Sequence, residues 1–484
     1  MSSHGRSLAV CFVAVALAHA VLTAQGTNTG PSTSASPYLL RAEPGVVTTS
    51  ILTVGDSVGG YRMVGIPDGL GAFDNGDGTF TLLMNHEIAR GLGVARAHGA
   101  IGAFVSKWII RKDDLAVVHG SDLIQNVATW NLGAGSWNAP GKGVAMSRLC
   151  SADLAPVSAF YDAESRLGYT GRMFLNGEEV SPDQEGRAFA HLMDGTSYEL
   201  PALGKASWEN LLARPDSGRQ TVVIGLDDSS GVVNGQVYVY LGEKTASAHP
   251  VEAAGLSGGQ FFGIQVSGLL RETVPTVIAD DTPFTLHPFG NVSSVSGAAI
   301  ESESAANGVT AFLRPEDGAW DPSNPNDFYF VTTARFNEPS RLWRLRFGDA
   351  TRPQLGGTIA MVLDGTEGHR MMDNIAIDRR GRILIQEDPG ASDYLAMVWR
   401  YTIETDTLEA VARHDPARFH SASPDFLKTN DEESSGIIDV SDILGEGWFL
   451  LDVQAPHPLP EADARELVAG GQLLALHIPP GRRN

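Results

Sequence analysis

The sequence predicts an all-β fold, and within that class a β-propeller with loop and short-helix insertions. Glycine (54) and proline (26) are too frequent among the 484 residues for a helical bundle, because both weaken helix interiors. Hydrophobic residues make up 43% of the chain and charged residues 19%, which supplies a large core and excludes disorder or low-complexity fibre. After residue 37, short β-rich runs recur between clusters of Gly, Pro, Asn and Asp, with no linker that would divide the chain. Small antiparallel sheets repeated around a channel make a propeller, and a sandwich plus a second domain is the alternative.

In chain order, residues 1–24 read as a signal peptide. Arg6 gives a positive start, residues 8–22 form an apolar run too short to span a bilayer well, and Ala18–His19–Ala20 and Leu22–Thr23–Ala24 offer small residues for cleavage. The expected location is therefore periplasmic or extracellular, and no later apolar stretch would leave a membrane anchor after cleavage. Residues 25–36, rich in Thr, Ser, Gly and Pro, read as a disordered lead-in, and residues 37–484 as a single propeller domain. Residues 80–84 form a strand after the turn Asp74–Asn75–Gly76–Asp77–Gly78, and residues 221–224 and 236–240 flank Asp227–Asp228. Strand pairs at 328–332 and 341–345, and at 375–377 and 383–385, are followed by runs at 398–401 and 447–451. The stretch 194–220 reads as a long loop on a blade face, with a short helix near residues 208–212.

Thirty-five basic and 57 acidic residues give a net charge of −22. Nucleic acid is excluded as a partner, since phosphate backbones need a basic face. An anionic substrate would be repelled unless bound cations inverted the local field. Metalloprotease, P-loop and dinucleotide-binding chemistry are unsupported, because HExxH, GxxxxGK[ST] and GxGxxG are all missing.

What remains is a series of short acidic clusters at strand ends: Asn85–His86–Glu87, Asn176–Gly177–Glu178–Glu179, Asp227–Asp228, Arg314–Pro315–Glu316–Asp317, Asp373–Asn374, Glu387–Asp388 and Asp431–Glu432–Glu433. In a propeller such ends can converge on the channel mouth, where carboxylates suit calcium and, joined by a thiolate, iron. Cleavage after residue 24 removes Cys11 and leaves Cys150 as a lone thiol, read either as an inert buried cysteine or as a metal-held thiolate. Arg314 could present its planar fork to a phosphate or bridge to a neighbouring blade, and Arg148 carries the same ambiguity. The spacing around His86 favours a satisfied core histidine.

In this order the clusters resemble the PhoX family of secreted alkaline phosphatases and its relatives, over about residues 80–455. The resemblance rests on Leu82–Leu83–Met84–Asn85–His86–Glu87, Arg148–Leu149–Cys150 with Phe174–Leu175–Asn176–Gly177–Glu178–Glu179, Asp227–Asp228, Arg314–Pro315–Glu316, Asp373–Asn374–Ile375 and Glu432–Glu433. It departs in the insertion at residues 155–172 and in Val453–Gln454–Ala455–Pro456–His457 near the end, and the leader lacks a twin-arginine pair. The resemblance implies a six-bladed propeller that hydrolyses a small phosphorylated substrate at an iron and calcium cluster. It assigns Cys150, Glu178, Glu179, Glu316, Asp373, Asn374 and Glu433 to the metals or their surroundings, and makes Arg314 and Glu316 catalytic. A phytase-like or lactonase-like hydrolase and a non-catalytic, calcium-stabilised binding propeller are the alternatives on the same scaffold.

Overall fold

The computed structural model describes residues 26–181, 185–229 and 235–479. Six antiparallel four-stranded units, numbered here as blades 1 to 6, follow one another along the chain. Blade 1 runs from its inner strand Pro67–Asp74 through Thr79–His86 and Phe104–Arg111 to Val117–Asp122. Blade 2 comprises Leu149–Asp153, Met173–Glu178, Ala188–Leu192 and Thr196–Glu199. Blade 3 comprises Trp208–Ala213, Gln220–Asp227, Gly235–Glu243 and Gln260–Val266. Blade 4 comprises Pro315–Trp320, Asp327–Thr332, Arg341–Phe347 and Gly357–Leu363. Blade 5 comprises Met372–Ile377, Arg382–Glu387, Met397–Thr402 and Thr407–His414. Blade 6 takes Glu433–Asp439, Trp448–Ala455 and Gly470–His477 from the end of the chain and Val47–Thr53 from its beginning.

That mixed blade closes the ring: the six inner strands pack each against the next around the axis, and blade 6 packs against blade 1. Each blade is covered on both faces by its neighbours, which is why its strands read as nearly continuous apolar runs rather than as alternating ones. Between blades 3 and 4, for example, Ile224, Val239, Ile264, Phe330, Trp343 and Leu345 form one buried cluster. Strand Thr282–Gly290 pairs with the outer strands of both these blades and joins their rims.

The expected turn after the first inner strand is present: Gly76 N donates to Asp74 Oδ1 (2.9 Å) and Thr79 N to Asp77 Oδ1 (3.0 Å). His86 is the core residue its spacing suggested, bonded to Gly65 O (3.1 Å) and Ser106 Oγ (2.9 Å) and stacked on Phe104. Burial lowers its pKa to about 3, so the ring is neutral.

Two expectations are corrected. The lead-in is ordered where it is described: Thr27–Thr29 pairs in parallel with Thr48, Thr49 and Ser50, and Gly30 N donates to Ser50 O (2.9 Å). A polar segment still gains order when a sheet edge offers unpaired backbone groups. The short helix near residues 208–212 is instead the inner strand of blade 3, fully buried from Trp208 to Ala213, so neighbouring blades override local propensity. The proposed signal peptide lies outside the described residues. Among the described residues no helix is long and apolar enough to cross a membrane.

Candidate metal centre

The inner strands begin at one mouth of the channel, and five of them begin in the same way. In blades 1 to 5, Pro67, Leu149, Trp208, Pro315 and Met372 pair with His86, Glu178, Asp227, Thr332 and Glu387, the last residues of the second strands. The register then slips through a bulge in each blade, a device that re-aims side chains. The residue just inside it is Asp68, Cys150, Glu209, Glu316 or Asp373. The residue just past the second strand is Glu87, Glu179, Asp228, Thr333 or Asp388. One backbone geometry, repeated around the axis, thus places at one mouth a ring of four carboxylates and a thiol, and beside it a second ring of four carboxylates and Thr333.

The neighbouring strands approach closely enough to bring these groups together. A Cβ on Gly69, next to Asp68, would lie 2.5 Å from Ala152 N and 2.7 Å from Cys150 O, so only glycine allows blades 1 and 2 this separation. Three groups result: Asp68, Glu87 and Cys150; Cys150, Glu179 and Glu209; and Glu209, Glu316 and Asp373. Within each, one ligand atom per residue lies within 4.8 Å of the others. Cys150 and Glu209 are shared, so the groups form one continuous chain of donors.

Burial raises the pKa of Asp68 well above the usual carboxylate range, and the charges of Glu87 and Glu209 add to it. Burial together with Asp68 and Glu209 pushes the Cys150 thiol up as well. Its Sγ donates to Asp68 Oδ2 at 3.4 Å. Glu316 is raised by burial and by Asp228 against the opposing pull of Arg314, and Asp373 by burial, Glu209 and Glu433. Glu179 is raised by burial, with Arg148 opposing and Glu87 and Asp228 adding.

Two arginines partly offset this charge. Arg148 Nη2 contacts Glu87 Oε1 (2.7 Å) and also Glu179. Arg314 grips Asp228 through Nε (2.8 Å) and Nη2 (2.9 Å), and Nη2 also reaches Glu316 Oε1 (2.8 Å). The bridge from Arg314 to a neighbouring blade, one of the two readings of the sequence, is therefore present. Neutral groups hold the ring from outside. Gln454 Nε2 donates to Asp68 Oδ2 and to Glu87 Oε2, both at 2.9 Å. Ser151 Oγ donates to Glu209 Oε1, and Asn374 Nδ2 donates to Ser151 Oγ.

Of the residues expected from sequence, Cys150, Glu179, Glu316 and Asp373 converge in these groups. Cys150 and Glu316 do not share a group but are joined through Glu209. Glu178 is a correction. It is buried away from the groups, where Arg187 Nε (2.7 Å) and Nη2 (2.8 Å) grip it and Ser147 N donates to it (3.0 Å). Successive strand residues face opposite sides, so Glu178 and Glu179 cannot both face the mouth. Asn374 uses its amide to position Ser151. Glu433 lies beside the groups, accepts from Ser435 Oγ, and is close enough for its charge to raise Asp68 and Asp373.

Asp68 and Glu209 escaped the sequence reading, and Glu87 and Asp228 were noticed only as acidic clusters. A signal for them exists: Asp68–Gly69, Cys150–Ser151, Glu209–Asn210, Glu316–Asp317 and Asp373–Asn374 each place a ligand type before a small or polar residue, after an apolar one. This repeat is too short and degenerate to detect without the strand register.

The donor set fits cations. Among the described residues six carboxylates and one thiol are packed together with two guanidinium groups beside them, a charge imbalance that hard divalent or trivalent ions would relieve. Above them opens a cleft of about 850 Å³, lined by Arg90, Arg148, Glu179, Asp228, Arg314 and Arg335 among others.

Fold and site together define a six-bladed propeller with an acidic, thiol-containing candidate metal centre at one channel mouth. Among solved structures the chain is similar to PhoX of Pseudomonas fluorescens in complex with vanadate, a transition state analogue. The TM-score is 0.64 and the identity 12%, covering 93% of this chain and 98% of that one. It is also similar to the PQQ-bound aldose sugar dehydrogenase of Streptomyces coelicolor, with TM-score 0.37 and 11% identity, covering 90% and 99%. A further match is the propeller domain of the Trilobed protease of Pyrococcus furiosus, with TM-score 0.30 and 8% identity, covering 81% and 91%. No family model matches the chain, and no curated protein matches it by sequence.

Proposed function

We propose that this chain is a secreted, metal-dependent phosphatase of the PhoX type that hydrolyses small phosphate monoesters at the cleft above the donor chain. The observation that carries this reading is the unbroken series of buried donors, joined through Cys150 and Glu209, at one mouth of a propeller whose shape follows PhoX. Asp68, Glu87, Cys150, Glu179, Glu209, Glu316 and Asp373 would hold the cations, with calcium and iron the types suited to carboxylates and to a carboxylate–thiolate set. When bound, such ions offset the negative charge of the ester and lower the pKa of an attacking water.

The chain's own groups supply the rest. Arg314, held in place by Asp228 and Glu316, would donate to phosphoryl oxygens and stabilise charge that builds up on them. Ser151 and Asn374 keep the Glu209 carboxylate oriented, so the shared donor does not have to reorganise during turnover.

The test is hydrolysis of p-nitrophenyl phosphate by the purified protein, with calcium and after strong chelation. Activity that chelation removes supports the reading. Absence of phosphate release from a panel of monoesters by protein shown to carry its cations overturns it, and points to another ester class or to a binding role.

A further inference from the structure

Blades 2 and 4 contain the same device. Arg148 stands two residues before Cys150 and Arg314 two residues before Glu316, so both occupy the same place relative to the bulge. Both adopt the left-handed backbone region, at φ 42° and 61°, as do the equivalent Ile66 (51°) and Met371 (37°) of blades 1 and 5, so the shared bulge sets the backbone and only blades 2 and 4 place an arginine on it. Each reaches back to the acid that follows the second strand of the preceding blade: Arg148 to Glu87 of blade 1 and Arg314 to Asp228 of blade 3. Each also contacts a donor of the metal groups, Glu179 and Glu316 respectively.

The free edges of the two guanidinium groups match too. Arg148 spends Nε and Nη2 on Glu179 and Glu87, and Arg314 spends Nε and Nη2 on Asp228 and Glu316. Neither uses Nη1 in a hydrogen bond among the described residues. Both side chains line the same cleft, and they remain 45% and 29% exposed, so the unused edge can reach a ligand there. Their partners Glu179 and Glu316 belong to groups that share Glu209, so both arginines are linked to the same carboxylate through one neighbour each.

We propose that Arg148 is a second anion-contact residue, which together with Arg314 grips a phosphoryl group from the opposite side of the cleft. This rests on the phosphatase reading of the site. A guanidinium whose Nε and Nη2 are already fixed presents its remaining N–H groups without losing side-chain freedom on binding. Two such forks on blades separated by blade 3 would hold a tetrahedral oxyanion from two sides, and select it over a planar carboxylate that engages one fork only.

The experiment is titration of inorganic phosphate into the cation-loaded protein by calorimetry, for the wild type, Arg148→Lys and Arg314→Lys, with metal content and Tm measured alongside. Lysine keeps the charge beside Glu87 and Glu179 but loses the fork. The expected result is a rise in phosphate Kd of about tenfold for each variant, the scale of a hydrogen bond to a charged group, with metal content unchanged. An unchanged Kd in Arg148→Lys, where Arg314→Lys weakens binding, overturns the proposal and leaves the phosphatase reading intact. A wild type that binds no phosphate overturns both.

Should Arg148→Lys shed its cations, arginine-directed dicarbonyl labelling of the wild type, read by peptide mass spectrometry, decides the matter. Phosphate should protect Arg148 and Arg314 together, while Arg379, 71% exposed and paired with Asp442, labels at the same rate throughout. Equal labelling of Arg148 with and without phosphate overturns the proposal.

Discussion

The two ends of the central channel are built from the same six strands and differ in chemistry. At the mouth where the inner strands begin, Asp68, Cys150, Glu209, Glu316 and Asp373 converge beneath a polar cleft. At the other end the same strands contribute Leu70, Leu212, Ile375, Ile377 and Ile437, interspersed with the separate carboxylates of Asp74, Asp153 and Asp439, to a cavity of about 690 Å³. Between the two lie neutral or shared polar contacts. Asn210 Nδ2 donates to Asp317 Oδ1 (2.6 Å), and Ile375 N donates to Asp317 Oδ2 (3.1 Å). The bulge that opens the inner strands of blades 1 to 5 turns one side chain per blade towards the axis before regular pairing takes over, so donors converge at one end, while at the other single carboxylates alternate with apolar side chains. A fold that repeats one local geometry needs only one substitution per blade to assemble a polynuclear donor set.

This contrast can be broken most severely at Glu209, which like Cys150 is shared by two of the three groups. Glu209→Ala should lower phosphate-monoester turnover by more than about 100-fold, beyond what loss of a supporting residue costs a metal site, and should reduce bound metal by elemental analysis.

Removing the cations should expose the electrostatic cost of the ring. Burial and mutual repulsion raise the folded-state pKa values of Asp68, Glu179, Glu209, Glu316, Asp373 and Glu433 above those of the unfolded chain. The native chelated protein therefore binds more protons than the unfolded one. Its stability is fully retained below the ordinary carboxylate range and falls as pH rises through the raised values. Thermal unfolding across a pH series should show Tm declining with pH under chelator. Calcium at a hundredfold excess over its Kd should restore about 2.7 kcal/mol. A chelated protein that grows more stable towards alkaline pH would contradict this account of the cluster.

A milder change is Ser151→Ala, which removes the donor to Glu209 and the acceptor of Asn374. Activity or metal affinity should drop by about 10- to 100-fold while the donors themselves stay in place.

At the far end the signature reverses. Ile377→Ala, in the apolar wall, should cost about 2–3 kcal/mol in denaturant unfolding and leave turnover per folded molecule unchanged. Loss of specific activity there would show that the two ends are coupled.

Part of the site was legible because chemistry and local turn signals coincide in the sequence. Arg314–Pro315–Glu316 and Asp373–Asn374 stand out because acidic residues interrupt runs that otherwise read as strand. Glu209 did not stand out. Trp208–Glu209–Asn210–Leu211–Leu212 has the composition of an amphipathic turn of helix, and pairing with Gln220–Asp227 together with packing against the inner strands of blades 2 and 4 holds it extended. Asp68, in Pro67–Asp68–Gly69, looks like an ordinary turn. Glu178 and Glu179 were both expected near the metals, Glu179 first, and the structure separates them: Glu178 meets Arg187 in the interior and Glu179 meets Arg148 at the mouth.

The sequence by itself determined the fold class, because breaker frequency and short apolar runs between turns are local properties that few architectures can accommodate. It also marked the thiol and half of the carboxylates that converge with it, because such residues are conspicuous among apolar strands. Tertiary structure decided which carboxylates meet. Convergence depends on the register of strands far apart in the chain, on the bulge in each blade and on ring closure between residues 47–53 and the last strand. Contacts across a closed ring are set by packing between blades, and no single stretch of sequence encodes them.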